Sequence, residues 1–188
     1  MKYINQIKAY KCMNDQEKND KEIILNFIKD YEHNILTREN QIAHITSSGF
    51  IMNASLSKVL MIHHNIYNTW AWTGGHADGE SDLLKIAVKE AKEETGLDSI
   101  HVMDAEIASI DILPVKGHIK RGAYVSAHLH LNVAYLLKAS EDQSLVLNER
   151  ETSGLQWFDL NKIDLQSKEP ELIKIYNKLI NKAKKLET

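Results

Sequence analysis

Cysteine is almost absent from this chain, which has one thiol in 188 residues, at Cys12. A single thiol excludes a disulfide framework within the chain. Long hydrophobic runs are also lacking: no stretch approaches the roughly 20 apolar residues that a membrane span requires. The first residues, MKYINQIKAYK, do not contain the apolar run of a secretion signal. These absences predict a cytoplasmic protein that has no membrane partner.

An excess of charge of one sign is lacking too, because 23 Lys and Arg residues face 26 Asp and Glu residues. With a formal net charge of -3 and no basic cluster, no nucleic-acid partner is expected. Proline occurs only twice, and no Pro, Gly or Ser-rich linker divides the chain. The length fits one domain with a substantial core. We therefore expect a single domain over residues 1–188, in which residues 1–40 form an N-terminal helical extension.

The most informative stretch runs from residue 74 to residue 97 and reads GGHADGESDLLKIAVKEAKEETGL. On a helix, Glu90, Glu93 and Glu94 fall within an arc of roughly 100°. A neighbouring apolar stripe is formed by Leu83, Leu84, Ala87, Val88 and Ala91. Lysines occupy the remaining, outward side. One helix is thus predicted to carry a buried face, an acidic face and a solvated face.

The acidic face of this predicted helix is unfavourable for stability. Carboxylates at i, i+3 and i+4 repel one another by a few tenths of a kcal/mol per pair. They also lie in the last turns, where the helix dipole is already negative. A divalent cation would remove both penalties, and carboxylate oxygens are ligands that Mg²⁺ and Mn²⁺ prefer. A solvated, Glu-rich helix end is the ordinary alternative, but the flanking glycines favour a metal site.

The stretch resembles the Nudix box, G-x5-E-x7-R-E-U-x-E-E-x-G-U, in which U is apolar. The positions that match are Gly75, Glu90, Ala91, Glu93, Glu94, Gly96 and Leu97. Two positions depart from the box, because Ser81 replaces a Glu and Lys89 replaces an Arg. Lys89 keeps the charge but lacks the planar guanidinium fork, and Glu80 and Asp82 flank Ser81 with carboxylates. GGHADG followed by D-L-L resembles a recurrent variant of the box, so we interpret both departures as tolerated.

The resemblance implies an α/β fold, in which a mixed β-sheet lies between helices in an α/β/α sandwich. It implies a Mg²⁺-dependent or Mn²⁺-dependent hydrolase that cleaves the diphosphate linkage of a nucleoside diphosphate derivative by water attack on phosphorus. Glu90, Glu93 and Glu94 would then bind the metal ion together with the carbonyl of Gly75. The partner would be a small-molecule diphosphate, and a homodimer is an option because many relatives are dimers.

Two further residues acquire roles from the same resemblance. Lys89 is expected to orient the acidic cluster. Related proteins often place a fourth carboxylate ahead of a late strand, and Glu151, six residues before Trp157, matches that position better than Glu149. Glu151 is therefore predicted to be the general base or an additional metal ligand.

Four residues are candidates for contact with the substrate. Trp72 precedes the double glycine and could stack on a nucleobase, although tryptophans are more often packed in a core. His76 lies in the loop before the acidic helix, for which Ser81 is the expected N-cap. In the predicted strand SAHLHLNVAYLL, His128 and His130 lie on the face opposite the apolar residues. They could line the cleft, bind phosphate, join a metal or simply form a polar sheet surface.

The remaining elements follow from periodicity. Apolar spacing predicts a helix over about residues 17–31, capped by Asn14 or Asp15, which packs on the core or forms a dimer interface. AHITSSGFIM and KVLMIHH are predicted to form a hairpin. Further strands are expected within residues 100–113 and at Trp157, and a final helix is expected to open near Pro170. The segment 114–126 is predicted to be a polar loop, which either contacts phosphate or is an ordinary mobile connection.

Two other functions remain as alternatives. The departures at Ser81 and Lys89 would suit a non-catalytic sensor or binding module for a nucleotide metabolite. An isomerase of the isopentenyl diphosphate type shares the fold but requires an active-site cysteine. Cys12 lies in the N-terminal extension with no relevant motif around it, so the isomerase is disfavoured.

Overall fold

The computed structural model describes residues 2–65, 68–120, 122–148 and 152–187. Its helices are α1 (Lys2–Ala9), α2 (Asp15–Tyr31), α3 (Leu83–Thr95), α4 (Ile163–Gln166) and α5 (Pro170–Leu186), with a 3-10 turn at Leu160–Lys162. Its strands are β1 (Ala43–Asn53), β2 (Lys58–His64), β3 (Thr69–Ala71), β4 (Thr73–His76), β5 (His101–Val102), β6 (Ser109–Val115), β7 (His118–Lys120), β8 (Ala123–Val125), β9 (His128–Ala139) and β10 (Thr152–Asp159). Across the described ranges, no helix combines the length and the apolar character of a membrane span.

Strand β1 is the centre of a mixed sheet with the order β10-β2-β1-β9-β5. It runs parallel to β9 along its whole length, from the pair Ala43–Leu129 to the pair Asn53–Ala139. On its other edge, residues 46–49 pair with β4 and residues 51–52 pair with β2, both antiparallel. β6 also pairs with β9. The predicted mixed sheet and the predicted β1–β2 hairpin are therefore confirmed.

Helices α2 and α3 begin at side-chain caps. Asn14 accepts a hydrogen bond from the Glu17 N–H at 2.9 Å, which confirms the predicted start of α2. For α3 the prediction of Ser81 as N-cap is wrong, because Asp82 Oδ1 accepts from the Lys85 N–H at 3.1 Å. A carboxylate at this position also interacts favourably with the helix dipole. Gly96 ends the helix at a φ of +71°, as its predicted C-terminal role requires.

Helices cover the sheet on both faces, as the sandwich prediction requires. On one side, α1, α2 and α3 share a core cluster with β1 and β9, which includes Tyr3, Ile24, Ile45 and Ala87. The N-terminal segment thus packs on the sheet, and it contains a helix, α1, that periodicity did not reveal. The amphipathic α5 packs on the other side through residues such as Tyr176.

The interior of β9 differs from the predicted alternation of one apolar and one polar face. Leu131 and Val133 are buried as expected, but Asn132 is buried as well, and Leu129 is exposed. Asn132 Oδ1 accepts hydrogen bonds from the hydroxyl groups of Thr46 at 3.0 Å and Ser48 at 2.9 Å. A central strand with both faces covered buries its polar residues too, provided that they find partners.

The segment 114–126 also differs from its prediction as a polar loop. Its first two residues belong to β6, and further along β7 and β8 pair as a short antiparallel hairpin through His118–Val125 and Ile119–Tyr124. Ile119 and Tyr124 are largely exposed. Arg121, a cationic residue of this segment, lies outside the described residues.

A buried ionic network joins the N-terminal helices to α5. Lys178 Nζ lies 2.7 Å from Glu17 Oε1 and 2.8 Å from Asp111 Oδ1, and all three side chains are almost completely buried. The hydroxyl of Tyr10 donates to Glu17 Oε1 at 2.8 Å. Burial raises the pKa of Asp111, so the ammonium group is needed to keep two carboxylates in this interior.

Candidate active site

The predicted acidic face of α3 is present, and we call the carboxylates of Glu90, Glu93 and Glu94 the acidic edge. A lysine bridges two of these carboxylates. Lys89 Nζ lies 3.0 Å from Glu93 Oε2 and 3.2 Å from Glu90 Oε1. The hydrogen bond from Lys89 to Glu93, with help from Glu90, raises the pKa of Lys89. The side chain of Glu90 is mostly buried, whereas about half of the Glu93 side chain is exposed. The ammonium group thus holds two carboxylates together at the border between protein and solvent.

Strand β4 approaches the acidic edge so closely that it requires glycine. A Cβ atom built on Gly75 would lie 2.5 Å from Glu90 Cδ and 2.7 Å from Glu90 Oε2. The preceding N–H, that of Gly74, donates to Glu94 Oε2 at 2.9 Å, and Glu94 is 4% exposed. The structure therefore brings Gly75 together with the acidic face of α3, and the backbone of β4 orients Glu94.

The carboxylates that flank Ser81 have other partners. Glu80 Oε1 accepts from the N–H groups of Ser81 at 2.8 Å and Asp82 at 3.0 Å, and its Oε2 accepts from Lys85 Nζ at 2.6 Å. The Lys85 ammonium and these N–H groups lower the pKa of Glu80 to about 2. At 1.5 Å per residue, Asp82 and Glu93 are about 16 Å apart along the helix axis. Glu80 and Asp82 thus stabilise the start of α3, at the opposite end from the acidic cluster.

Of two further predicted site residues, one is packed in the core and the other lies outside the described residues. Trp72 is 8% exposed and belongs to the core, where its ring lies edge-on to Tyr176 with centroids 5.4 Å apart. That burial leaves little of the indole surface for stacking on a base. Glu151, like Glu149, lies outside the described residues, so its predicted role stays a prediction.

The three histidines that were substrate-contact candidates meet a fourth, His44, which sequence reasoning did not single out. One ring nitrogen from each of His44, His76, His128 and His130 lies within 4.8 Å of the others. The strand register explains the cluster, because His44 is opposite His130 in the β1–β9 pair, and Thr46 is opposite His76 in the β1–β4 pair. The sequence feature that could have predicted the cluster is the position of its histidines near the starts of two strands, β1 and β9. Only the register shows that these strands are neighbours.

Two histidines of the cluster, His130 and His44, favour the neutral form. Burial, together with the neighbouring histidines, lowers the pKa of His130 to about 2. Burial also lowers the pKa of His44. Neutral imidazoles do not offer the fixed positive charge that a phosphate group attracts. The cluster is therefore better suited to donating lone pairs than to holding an anion.

The acidic edge and the histidine cluster lie on opposite faces of the sheet. The Cβ direction of Gly75 leads into Glu90, whereas that of Gly74 leads into Ser48 Oγ, 2.6 Å away. Because side chains alternate along a strand, His76 points to the side of Gly74 and away from α3. The two groups of residues thus share strand β4 but form separate sites.

Comparison with known proteins agrees with this architecture. The sequence model of the NUDIX domain family matches residues 43–179, which is more than half of the chain. This chain therefore belongs to the Nudix family. No curated protein sequence matches it.

Solved structures with the same fold include several Nudix enzymes. The E. coli dihydroneopterin triphosphate pyrophosphohydrolase has a TM-score of 0.55 at 13% identity, covering 73% of this chain and 95% of that one. A hydrolase of the NUDIX family from Clostridium perfringens has a TM-score of 0.52 at 18% identity, with coverages of 73% and 96%. The C. elegans Ap4A hydrolase in a binary complex has a TM-score of 0.50 at 15% identity, with coverages of 71% and 93%. At these identities the likeness shows the fold.

Proposed function

We propose that this protein is a Mg²⁺-dependent hydrolase that cleaves the diphosphate linkage of a nucleoside diphosphate derivative by water attack on phosphorus. The observation that carries the proposal is the close contact of Gly75 with an edge of three glutamates, inside a chain of the Nudix family. A helix has no structural need for clustered carboxylates at its negative end. Family membership supports the general hydrolase class, and the acidic edge supports the metal dependence.

The donor set of the acidic edge fits a hard divalent cation. Glu90, Glu93 and Glu94 supply carboxylate oxygens, and Gly75 supplies a backbone carbonyl, all of which are ligands that Mg²⁺ and Mn²⁺ prefer. A metal ion bound there lowers the pKa of a water molecule and neutralises charge on the diphosphate. Lys89 already shows that the edge attracts a cation, because its ammonium group contacts two of the carboxylates.

The residues of the chain divide the remaining work between binding and positioning. The Gly74 N–H donates to one oxygen of Glu94 and thereby orients that carboxylate at the acidic edge. Lys89 keeps Glu90 and Glu93 at a fixed separation. Glu151 is proposed as the general base or as an additional metal ligand. Diphosphate hydrolysis depends mostly on such positioning and on neutralisation of charge.

The proposal is tested by measuring phosphate release in a screen of nucleoside triphosphates, ADP-ribose, dinucleotides and coenzyme A, with Mg²⁺ and without it. Glu93→Gln and Glu94→Gln should each reduce turnover at least about a hundredfold. Glu94→Gln keeps an oxygen that accepts the Gly74 N–H, so the fold should persist. Glu171→Gln, on an exposed pair with Lys174, is the matched control and should leave turnover unchanged.

Calorimetric binding in the same screen separates the hydrolase from a sensor. Mg²⁺-dependent binding of a nucleotide metabolite without any turnover would overturn the hydrolase and favour the binding module. Near-normal turnover in both glutamate variants would show that the acidic edge is not the site of hydrolysis.

A further inference from the structure

The histidine cluster has the dimensions of a metal site. His128 Nε2 and His130 Nε2 are 3.3 Å apart. In a tetrahedral zinc site with Zn–N bonds of about 2.05 Å, neighbouring ligand nitrogens are about 3.3 Å apart. The ligand atoms of all four histidines lie within 4.8 Å of one another, so small side-chain adjustments would bring the whole set to that spacing.

Hydrogen bonds to the outer nitrogens orient two of the four rings. His44 Nδ1 lies 2.9 Å from the Asn40 carbonyl oxygen, and His128 Nδ1 lies 2.8 Å from the Ser126 carbonyl oxygen. Because a carbonyl only accepts, each Nδ1 carries a proton, and in the neutral ring Nε2 then presents a lone pair to a metal ion. This is the arrangement by which backbone carbonyls orient metal-binding histidines.

One of these lone pairs is buried without a hydrogen-bond partner. His44 Nε2 has no accessible surface and no partner among the described residues, and His44 as a whole is 4% exposed. Its ring lies among the other three, with centroid distances of 5.0 Å to His76, 4.9 Å to His128 and 5.3 Å to His130. An unsatisfied buried acceptor is costly, and a cation at the centre of the four rings would satisfy it.

We propose that His44, His76, His128 and His130 bind one divalent transition metal ion of the zinc type, at a site separate from the acidic edge of α3. Four imidazole nitrogens suit Zn²⁺, Co²⁺ or Ni²⁺, whereas Mg²⁺ prefers oxygen. The site lies on the face of the sheet opposite Glu90, so the two metal ions would have different ligands and different chemistry.

The surrounding charges permit a cation at this place. Arg38 is a cation near the cluster, and its guanidinium forms a paired contact with Asp78, at 2.8 Å from Nε to Oδ1 and 2.6 Å from Nη2 to Oδ2. The Arg38 side chain is about half exposed, so solvent screens it further. The positive charge next to the histidines is therefore balanced within the protein.

The bound ion would join three strands at one point. His44 is on β1, His76 ends β4, and His128 and His130 begin β9. Because His76 directly follows Gly75, the ion would also restrain the strand that contacts the acidic edge. We therefore expect a stabilising metal that fixes the position of β4.

The test is metal binding by the full-length protein after removal of metals with a chelator. Titration calorimetry with Zn²⁺ should show one tight equivalent that millimolar Mg²⁺ does not displace. Co²⁺ should give the visible absorption bands of a tetrahedral nitrogen site. Zn²⁺ should also raise the melting temperature. Absence of saturable Zn²⁺ binding to the folded wild-type protein would overturn the proposal.

Variants connect the binding to the cluster. His130→Gln should weaken Zn²⁺ binding at least about a hundredfold and abolish the thermal shift, and His130→Cys should retain binding because a thiolate is a zinc ligand. His101→Gln, at an exposed histidine on β5, is the matched control and should bind like the wild type. Equal loss in the His130 and His101 variants, or unchanged binding in both, would show that the ion binds elsewhere. Circular dichroism of each variant verifies that it is folded.

Discussion

The backbone N–H of Gly74 donates a hydrogen bond to Glu94 Oε2 at 2.9 Å across the contact between β4 and α3. This hydrogen bond joins the double glycine of β4 to the last turn of α3. A pattern of glycines and glutamates separated by some 20 residues thereby becomes one local structure. The two ends of the motif meet because β4 pairs with β1, on which α3 also packs.

Gly75 should not tolerate even the smallest side chain without loss of activity. In Gly75→Ala, the new methyl group would lie 2.5 Å from Glu90 Cδ and would displace that carboxylate. We expect kcat/KM to fall at least about tenfold, since misplacement by about 1 Å is costly in catalysis. Steady-state kinetics and a melting curve test this together. Unchanged kcat/KM in a folded variant would show that the position of Glu90 does not matter.

Lys89 should be replaceable by arginine but not by an uncharged residue. Lys89→Arg preserves a cation between Glu90 and Glu93, and we expect kcat/KM within about threefold of the wild type. Lys89→Gln leaves the two carboxylates to repel each other, and kcat/KM should fall about tenfold. Because the Lys89 side chain is 57% exposed, stability should change by less than about 0.5 kcal/mol in either variant. Equal activity of both variants would remove the positioning role.

The start of α3 offers a stability test that is independent of activity. Asp82→Ala removes the side chain that caps the helix at Lys85, so urea unfolding should show a loss of about 1 kcal/mol. Ser81→Ala, at the neighbouring position, should change stability by less than about 0.5 kcal/mol. Both variants should retain hydrolysis. A larger effect at Ser81 than at Asp82 would contradict the observed cap.

The buried network around Lys178 should be far more sensitive than a surface pair. Lys178→Met leaves the carboxylates of Glu17 and Asp111 buried without a cation, which should cost about 3–5 kcal/mol. Lys174→Met breaks only an exposed pair with Glu171 and should cost less than about 0.5 kcal/mol. Denaturant unfolding of the two variants makes the comparison. Similar effects in both would mean that the buried network contributes little.

Local sequence patterns predicted the elements correctly wherever the interactions that stabilise an element join residues close together in the sequence. The helical period predicted α2, α3 and α5, and two β-prone runs separated by the polar NASLS predicted the hairpin of β1 and β2. The acidic face of α3 follows directly from the helical repeat. The predicted N-cap of α3 was wrong by one residue. Ser81 and Asp82 are both good caps, and the sequence contains no information on which of them stands at the start of the helix.

Long-range pairing explains what local patterns missed. The short helix α1 is held by the burial of Tyr3 and Ile7 against residues far along the chain, so its eight residues give little signal by themselves. Trp72 was a candidate for base stacking because it precedes the glycines, but its indole is buried and packs edge-on against Tyr176, more than 100 residues later in the sequence. His44 was missed for the same reason, since its partner His130 is 86 residues away in the sequence.

By itself, the sequence determined the family box, the acidic face of one helix and the periodicity of the main elements, because these depend on the spacing of neighbouring residues. Only the tertiary structure decided that β1 runs parallel to β9 and antiparallel to β4. That register places four histidines on one face of the sheet and the glutamates against Gly75 on the other. Strand pairing depends on contacts between distant segments, and side-chain alternation then assigns each residue to a face.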